Sequence, residues 1–223
     1  MKTREVLHAE LERCARCPRL VAWREAVGRA KRRAFRDWTY WARPVPGFGD
    51  PNARILIFGL APGAHGSNRT GRPFTGDASG AFLYPALWRA GLANQPRATH
   101  RGDGLELYGV YVTAAVRCVP PQNRPTQAEL RACADWTRRE LELLPKVRVV
   151  VALGRIAHDA MLAHFGLKKR AHPFAHGTEH RLPNGWVLLD SYHVSRQNTN
   201  TGRLTVEMFD RVLARAKRLA GLE

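Results

Sequence analysis

The sequence predicts an α/β fold, a three-layer sandwich in which a central four-stranded parallel sheet is flanked by helices. Four short apolar runs, each ending in a glycine-rich or polar loop, alternate with segments whose apolar residues recur at helical spacing. Strands that alternate with helices form parallel sheets covered on both faces by right-handed crossovers. The chain has 223 residues and no internal repeat, so we expect one domain over residues 1–223.

Apolar runs and their periodicity place the individual elements. The first run is continuous, which is typical of a strand buried on both faces. The helix after the second run has a clear start, because Thr126 and Glu129 fit a capping box in which each side chain satisfies a backbone N–H. The predicted strands are residues 54–59, 108–116, 147–153 and 186–189, and the predicted helices are residues 82–90, 127–144, 155–165 and 204–219.

Three loops are expected to meet at one edge of this sheet. Ligands of open parallel sheets bind beyond the carboxyl ends of the strands. The segments at that edge are residues 59–77, the segment after Val116, and residues 190–198. A functional site built from several loops is therefore predicted there.

The charge of the chain points to a polyanionic partner. With 36 Lys and Arg against 19 Asp and Glu, the formal charge is +17, so nucleic acid is the leading partner class. No apolar run approaches the roughly 20 residues that span a bilayer, and no basic amphipathic anchor stands out, so no membrane partner is expected. The N-terminus lacks the apolar core of a secretory signal, and we expect a cytoplasmic protein.

The four cysteines form one pattern, a Cys-x2-Cys pair and a distant Cys-x14-Cys pair, at Cys14, Cys17, Cys118 and Cys133. Disulfides are rare in cytosolic proteins, and a shared four-thiolate metal site explains all four residues better than unrelated buried thiols do. Zinc and iron–sulfur clusters both accept four thiolates. The wide second pair favours the bulkier cluster only slightly, so the spacing leaves the metal open.

Residues 59–77, called the Gly59 loop below, match neither a dinucleotide fingerprint nor a phosphate-binding Gly-x4-Gly-Lys loop. The loop can present backbone amides and one exposed aromatic residue, Phe74. At this point the chain resembles the thermophilic, cluster-bearing family 5 (B-type) of the uracil-DNA glycosylase superfamily. The matching motifs cover essentially the whole chain: Gly59-Leu-Ala-Pro-Gly63, Gly71-Arg-Pro-Phe-Thr-Gly-Asp77, Ala114-Ala-Val-Arg-Cys118, His193-Val-Ser195 and the four cysteines.

The resemblance implies a fold, a reaction and a cofactor. It implies that the four cysteines hold a structural 4Fe–4S cluster. It also implies excision of uracil from double-stranded DNA, with tolerance for other deaminated bases such as hypoxanthine. Repair enzymes of this kind usually act alone, so we expect a monomer.

Such a reaction needs a residue to hold the everted base and one to stabilise the leaving uracil anion. We expect Phe74 to stack on the base, the alternative being a core phenylalanine folded under the loop. The backbone of Gly59, Ala61 and Gly63 is expected to line the same slot. His193, after the fourth strand, is the expected donor to the uracil anion, although a histidine there is often only structural.

The attacking water needs a base or a polarising group. Related families place a carboxylate or an amide just after the first glycine of the loop, where this chain has Leu60 and Ala61. We therefore expect Asp77 to activate the water, the alternative being a helix cap. A related family places a uracil-reading Asn where this chain has Ala114, so we expect Asn123 to reach the base instead, and a broad substrate range to follow.

DNA contacts are expected from Ser195, Arg196 and Gln197, with Arg196 or Gln197 filling the gap left by the everted base. The basic run at residues 29–36 could follow phosphates or form a solvated helix face. Two rival functions remain open at this point. One is a non-catalytic nucleic-acid binder with a structural metal, and the other is an iron–sulfur electron carrier, for which the charge and the base-sized loop are superfluous.

Overall fold

The structure, a computed structural model, describes residues 3–223, so the first two residues of the expected domain lie outside the described residues. Its centre is a six-stranded sheet in the order β1-β3-β2-β4-β6-β5. The strands are β1 (Phe48–Gly49), β2 (Ile55–Gly59), β3 (Val110–Ala114), β4 (Val149–Leu153), β5 (Glu179–Arg181) and β6 (Val187–Ser191).

The prediction of a four-stranded parallel sheet is confirmed for the centre and incomplete at the edges. Strands β3, β2, β4 and β6 are mutually parallel, whereas β1 and β5 pair antiparallel with β3 and β6. The two edge strands have two and three residues. So short a segment carries no apolar periodicity, which is why the sequence did not predict them.

Eight helices of the described chain surround the sheet or close its loops. The capping box at Thr126 is present, since its hydroxyl accepts from the Glu129 N–H and the Glu129 carboxylate accepts from the Thr126 N–H. The helices are α1 (Arg4–Glu12), α2 (Pro18–Ala30), α3 (Ser67–Thr70), α4 (Gly80–Arg89), α5 (Gln127–Leu141), α6 (Arg155–His164), α7 (Arg196–Asn200) and α8 (Val206–Ala220).

Alternation along the central strands builds a core on each face of the sheet. Ile55 and Ile57 belong to the core that also contains residues of α4 and α8, such as Leu83 and Phe209. Leu56 and Phe58 point the other way, into the core that contains residues of α6. A third cluster joins α1 and α2 to α5 around the cysteines. These three cores produce the predicted layered architecture.

The carboxyl ends of the central strands lie side by side, as predicted. Gly59 is in register with Ala114, and Leu153 is in register with Ser191. The Gly59 loop, the segment after β3 and the segment after β6 therefore start from one edge of the sheet, here called the rim. No helix of the described residues is long and apolar enough to cross a membrane.

Candidate active site

Two buried arginines give the Gly59 loop its shape. Arg72 forms a bidentate ion pair with Asp103, with nitrogen–oxygen distances of 2.8 and 2.7 Å. Arg69 lies between the rings of Phe35 and Trp38, with its guanidinium carbon 3.9 and 4.0 Å from the two ring centroids. It also donates to the carbonyls of His65 and Gly76 at 2.7 and 2.8 Å. The loop is thus a fixed platform, with its shape held by side chains that sequence analysis did not identify.

Phe74 lies within the rim, but its predicted exposure is wrong. Only 8% of the residue is accessible, because its ring packs against Gly59 and His193. A Cβ at Gly59 would lie 2.7 Å from Phe74 Cζ, so any side chain there would displace the ring. The Phe74 and His193 ring centroids are 6.3 Å apart with a 38° interplanar angle. Phe74 also adopts φ of 49°, a left-handed conformation that is costly for an aromatic residue and that concentrates at functional sites.

The two carboxylate oxygens of Asp77 face different elements: one faces the start of α4 and the other faces the Gly59 loop. Its Oδ1 accepts from the Gly80 N–H at 3.0 Å, so the capping alternative describes part of its role. Its Oδ2 faces Gly63 and Gly66, and a Cβ at Gly63 would lie 2.8 Å from it. Burial raises the pKa of Asp77 above its usual value, against the opposing effects of the backbone N–H groups and of the Arg69 charge.

His193 lies two residues after the end of β6, and a hydrogen bond to its backbone fixes its position. Its carbonyl accepts from Asn198 Nδ2 at 2.8 Å, whereas its imidazole has no hydrogen-bond partner within residues 3–223. Burial lowers the pKa of His193 to about 4. The ring is therefore neutral at pH 7 and keeps one N–H free to donate.

A second group of histidines lies beneath the rim at the end of β6. The Asp190 carboxylate contacts His158 Nδ1 at 2.8 Å and His180 Nε2 at 3.3 Å. These three buried residues are called the histidine network below. Because His158 Nε2 contacts the carbonyl of His172 at 2.9 Å, both ring nitrogens of His158 face acceptors. Burial alone would lower the pKa of His158, but the hydrogen bond and charge of Asp190 outweigh it and raise that pKa.

The remaining predicted site residues lie around the rim. Asn123 is exposed in a 3-10 turn after β3 and has φ of 56°. Ser195 is half-buried and begins α7, on which Arg196 and Gln197 are exposed to solvent. Ala61 is half-buried and packs against the cysteine cluster. The structure thus leaves Asn123, Arg196 and Gln197 free to meet a ligand.

The four cysteines come together although a hundred residues separate the two pairs. All four line one cavity, between α1, α2 and α5, and none forms a disulfide. Three N–H groups point at their sulfurs: Trp136 Nε1 to Cys14 at 3.3 Å, Arg24 Nη1 to Cys118 at 3.1 Å and the Arg117 backbone to Cys133 at 3.4 Å. Such donors stabilise sulfur that carries negative charge.

No three of the four cysteine sulfurs, all of them in the described part of the chain, lie within 4.8 Å of one another. Zinc bonds of about 2.3 Å in a tetrahedral site bring the sulfurs to roughly 4 Å of one another. Among residues 3–223, the group of three or more ligand atoms lying within 4.8 Å of one another is the histidine network, and it contains no cysteine. The four cysteines that line the cavity can supply four thiolates to a metal centre. In the histidine network, His158 contacts one oxygen of the Asp190 carboxylate and His180 contacts the other. Each contact has the geometry of a hydrogen bond.

Comparison with known proteins identifies the family of this chain. Residues 46–217 match the family model of the uracil DNA glycosylase superfamily. A type-5 uracil-DNA glycosylase of Thermus thermophilus is 71% identical over 219 residues, 98% of this chain and 99% of that protein. One of Mycobacterium leprae is 51% identical over 97% of this chain and 95% of that protein. A type-4 enzyme of Pyrobaculum aerophilum is 37% identical, over 57% of each chain. This chain belongs to the uracil-DNA glycosylase superfamily and, within it, to the type-5 family.

Proposed function

We propose that this chain hydrolyses the N-glycosidic bond of uracil in double-stranded DNA and leaves an abasic site. The observation that carries the proposal is the contact between Phe74 and His193 across the rim, 6.3 Å between ring centroids. It places an aromatic ring, with 8% of the residue accessible, beside a half-buried and neutral hydrogen-bond donor. The +17 charge supplies the attraction to DNA that such an enzyme needs.

The leaving group is the first chemical task. Breaking the glycosidic bond places negative charge on the uracil ring, and a donor in a water-poor site stabilises that charge strongly. His193 can supply this hydrogen bond, because its lowered pKa keeps the ring neutral at pH 7 and no described residue forms a hydrogen bond with its imidazole. A neutral imidazole donates one hydrogen bond without bringing a positive charge that would need its own counterion.

Asp77 performs the second task, which is to direct a water molecule at the sugar. The sugar develops oxocarbenium character, and a nearby carboxylate can orient water and accept its proton. Asp77 Oδ1 is engaged by Gly80, which fixes the carboxyl group, while Oδ2 faces the glycines of the loop. Leu60 and Ala61 bear no group that can accept a proton, so the motif offers Asp77 as its acid.

The substrate range follows from what the rim lacks. Ala114 ends β3 directly beside Gly59 and bears no group that can read a base. Discrimination by hydrogen bonding depends on polar groups that the wrong base would leave unpaired. We infer that hypoxanthine and other deaminated bases are also excised, with Asn123 as an exposed contact. Ser195, Arg196 and Gln197 contact the duplex beside the lesion.

We also propose that the cysteine site binds a 4Fe–4S cluster, held by Cys14, Cys17, Cys118 and Cys133. When bound, the cluster would staple α1 and α2 to α5 and to the segment after β3, which is a structural contribution. The convergence of all four cysteines on one cavity and the N–H groups aimed at their sulfurs support it. Arg19 reinforces the same junction, since it forms a bidentate pair with Glu129 at 2.8 and 2.7 Å.

A nicking assay tests the function. Duplexes that contain one uracil or one hypoxanthine are incubated with the protein and then treated with alkali, which cleaves abasic sites. We expect strand cleavage at the lesion, and none on undamaged duplex. Intact uracil strands at high protein concentration would instead favour a non-catalytic nucleic-acid binder. Gel filtration at working concentration checks the expected monomer.

A further inference from the structure

Arg24 is a buried cation without a described carboxylate partner. It lies on the inner face of α2 with 6% of its surface accessible. Its Nη1 donates to the Cys14 carbonyl at 3.2 Å and to Cys118 Sγ at 3.1 Å, and its Nε has no partner within residues 3–223. Burying a charged group is costly unless an opposite charge compensates it. Thiolates in the cysteine cavity, which Arg24 lines, would supply that opposite charge.

The main chain of Arg24 contacts a different part of the molecule. Its carbonyl accepts a hydrogen bond from Asn68 Nδ2 at 3.2 Å, in a buried position. Asn68 is fully buried in α3 of the Gly59 loop, and its N–H donates to the Gly63 carbonyl at 3.0 Å. Gly63 in turn faces the Asp77 carboxylate. One residue therefore joins the cysteine cavity to the loop that carries Asp77.

We propose that Arg24 is a positioning residue with two functions: its guanidinium neutralises the anionic thiolate-bound cluster, and its backbone fixes the Gly59 loop through Asn68. The inference depends on the cluster of the proposed function. It gives the cysteine centre a specific mechanical link to the Gly59 loop, whereas the cluster alone would hold only α1, α2, α5 and the segment after β3.

The charge function is tested with Arg24→Gln and Arg24→Lys. Arg29→Gln is the control, since Arg29 is on the same helix and its side chain is 72% exposed. Residues that hydrogen-bond metal ligands typically change metal affinity by about 10-fold to 100-fold. We expect Arg24→Gln to release iron to a chelator roughly tenfold faster or more, and its cluster to have a more negative reduction potential because a positive charge is lost. Lys should restore much of both properties.

The link to the loop is tested separately with Asn68→Ala, which leaves the guanidinium in place. We expect normal iron content and reduction potential but faster amide hydrogen exchange in residues 63–70. This variant keeps the inference testable if Arg24→Gln does not fold. Unchanged exchange in that segment would overturn the link.

The outcomes separate this inference from the proposed function. Suppose that the wild-type protein contains iron but Arg24→Gln matches Arg29→Gln in the rate of iron release and in reduction potential. That result would overturn the role of Arg24 and leave the cluster assignment standing. Wild-type protein that binds no iron when expressed with iron supplied would overturn the cluster assignment and the role of Arg24 together. The nicking assay is independent of both results.

Discussion

Two histidines near the carboxyl end of the sheet have pKa values shifted in opposite directions. At the rim, His193 has no partner for its ring within the described chain, and burial lowers its pKa to about 4. Beneath it, both nitrogens of His158 are partnered, and Asp190 raises its pKa despite burial. The comparison shows that partners, and not burial alone, decide the direction in which the pKa of a buried histidine moves. The partnered one stabilises the fold, and the unpartnered one is left for a ligand.

The largest effect is expected at Asp77, in the rim. Asp77→Asn preserves the cap on Gly80 through its amide oxygen but cannot accept a proton from water. General-base catalysis contributes about 100-fold to 10,000-fold, so we expect a loss of that order in the single-turnover rate of uracil excision. DNA binding should persist in a gel-shift assay. A rate equal to that of the matched surface variant Asp210→Asn would remove Asp77 from the mechanism.

The next effect concerns His193 and its neutral state. His193→Ala should slow excision by about 100-fold to 1,000-fold, as expected for the loss of a hydrogen bond to a developing anion. In the wild-type protein, a pKa of about 4 means that the ring gains a charge only near that pH. Burial raises the pKa of Asp77 above its usual value, so its carboxylate is more easily protonated than that of an exposed aspartate. We therefore expect the rate to decline on the acid side as Asp77 protonates. A rate that falls only above pH 7 would contradict the role of the Asp77 carboxylate.

The histidine network should affect stability more than chemistry. The pKa of His158 is raised above its unfolded value, so the stabilisation from its pair with Asp190 is present in full below about pH 6.5 and is lost as the pH rises through the folded pKa. Breaking a buried pair costs about 3 kcal/mol or more. Asp190→Asn should lower the free energy of unfolding by that order near pH 6, and by less at alkaline pH.

Urea unfolding of the Asp190 variant and a control at both pH values measures the difference. The control is again Asp210→Asn, which breaks an exposed pair with Arg89, and it should change stability by less than about 1 kcal/mol. If the deficit of Asp190→Asn were the same at both pH values, His158 would not be the charged partner.

The smallest effect is expected at the exposed edge of the rim. Arg196→Gln should reduce the slope of log binding constant against log salt by about 1, if Arg196 contacts one phosphate. Arg218→Gln is the matched control, because Arg218 is exposed in the last turn of α8, and Gly221, just after that helix, contacts Arg54 at the start of β2, away from the rim. Equal slopes for both variants, measured by fluorescence anisotropy, would place the duplex away from α7.

The sequence predicted the central sheet and the meeting of the loops because apolar runs and strand order are local properties. It did not predict the burial of Phe74, which depends on the contact between Gly59 and a loop residue fifteen positions away. It also did not single out Arg69, between Phe35 and Trp38, or His158, whose partner Asp190 is 32 residues distant. An acid immediately after an apolar strand was the one available signal for Asp190. Such pairings exist only once the chain is folded.

The most direct test of this contrast is an NMR titration of the imidazole side chains, assigned with His193→Gln and His158→Gln. We expect one resonance with a pKa near 4, missing in His193→Gln, and one with a pKa above the usual value, missing in His158→Gln. A His193 resonance that titrates at or above about 6.5, the pKa of a solvated histidine, would contradict the claim that the rim holds a neutral, unpartnered donor.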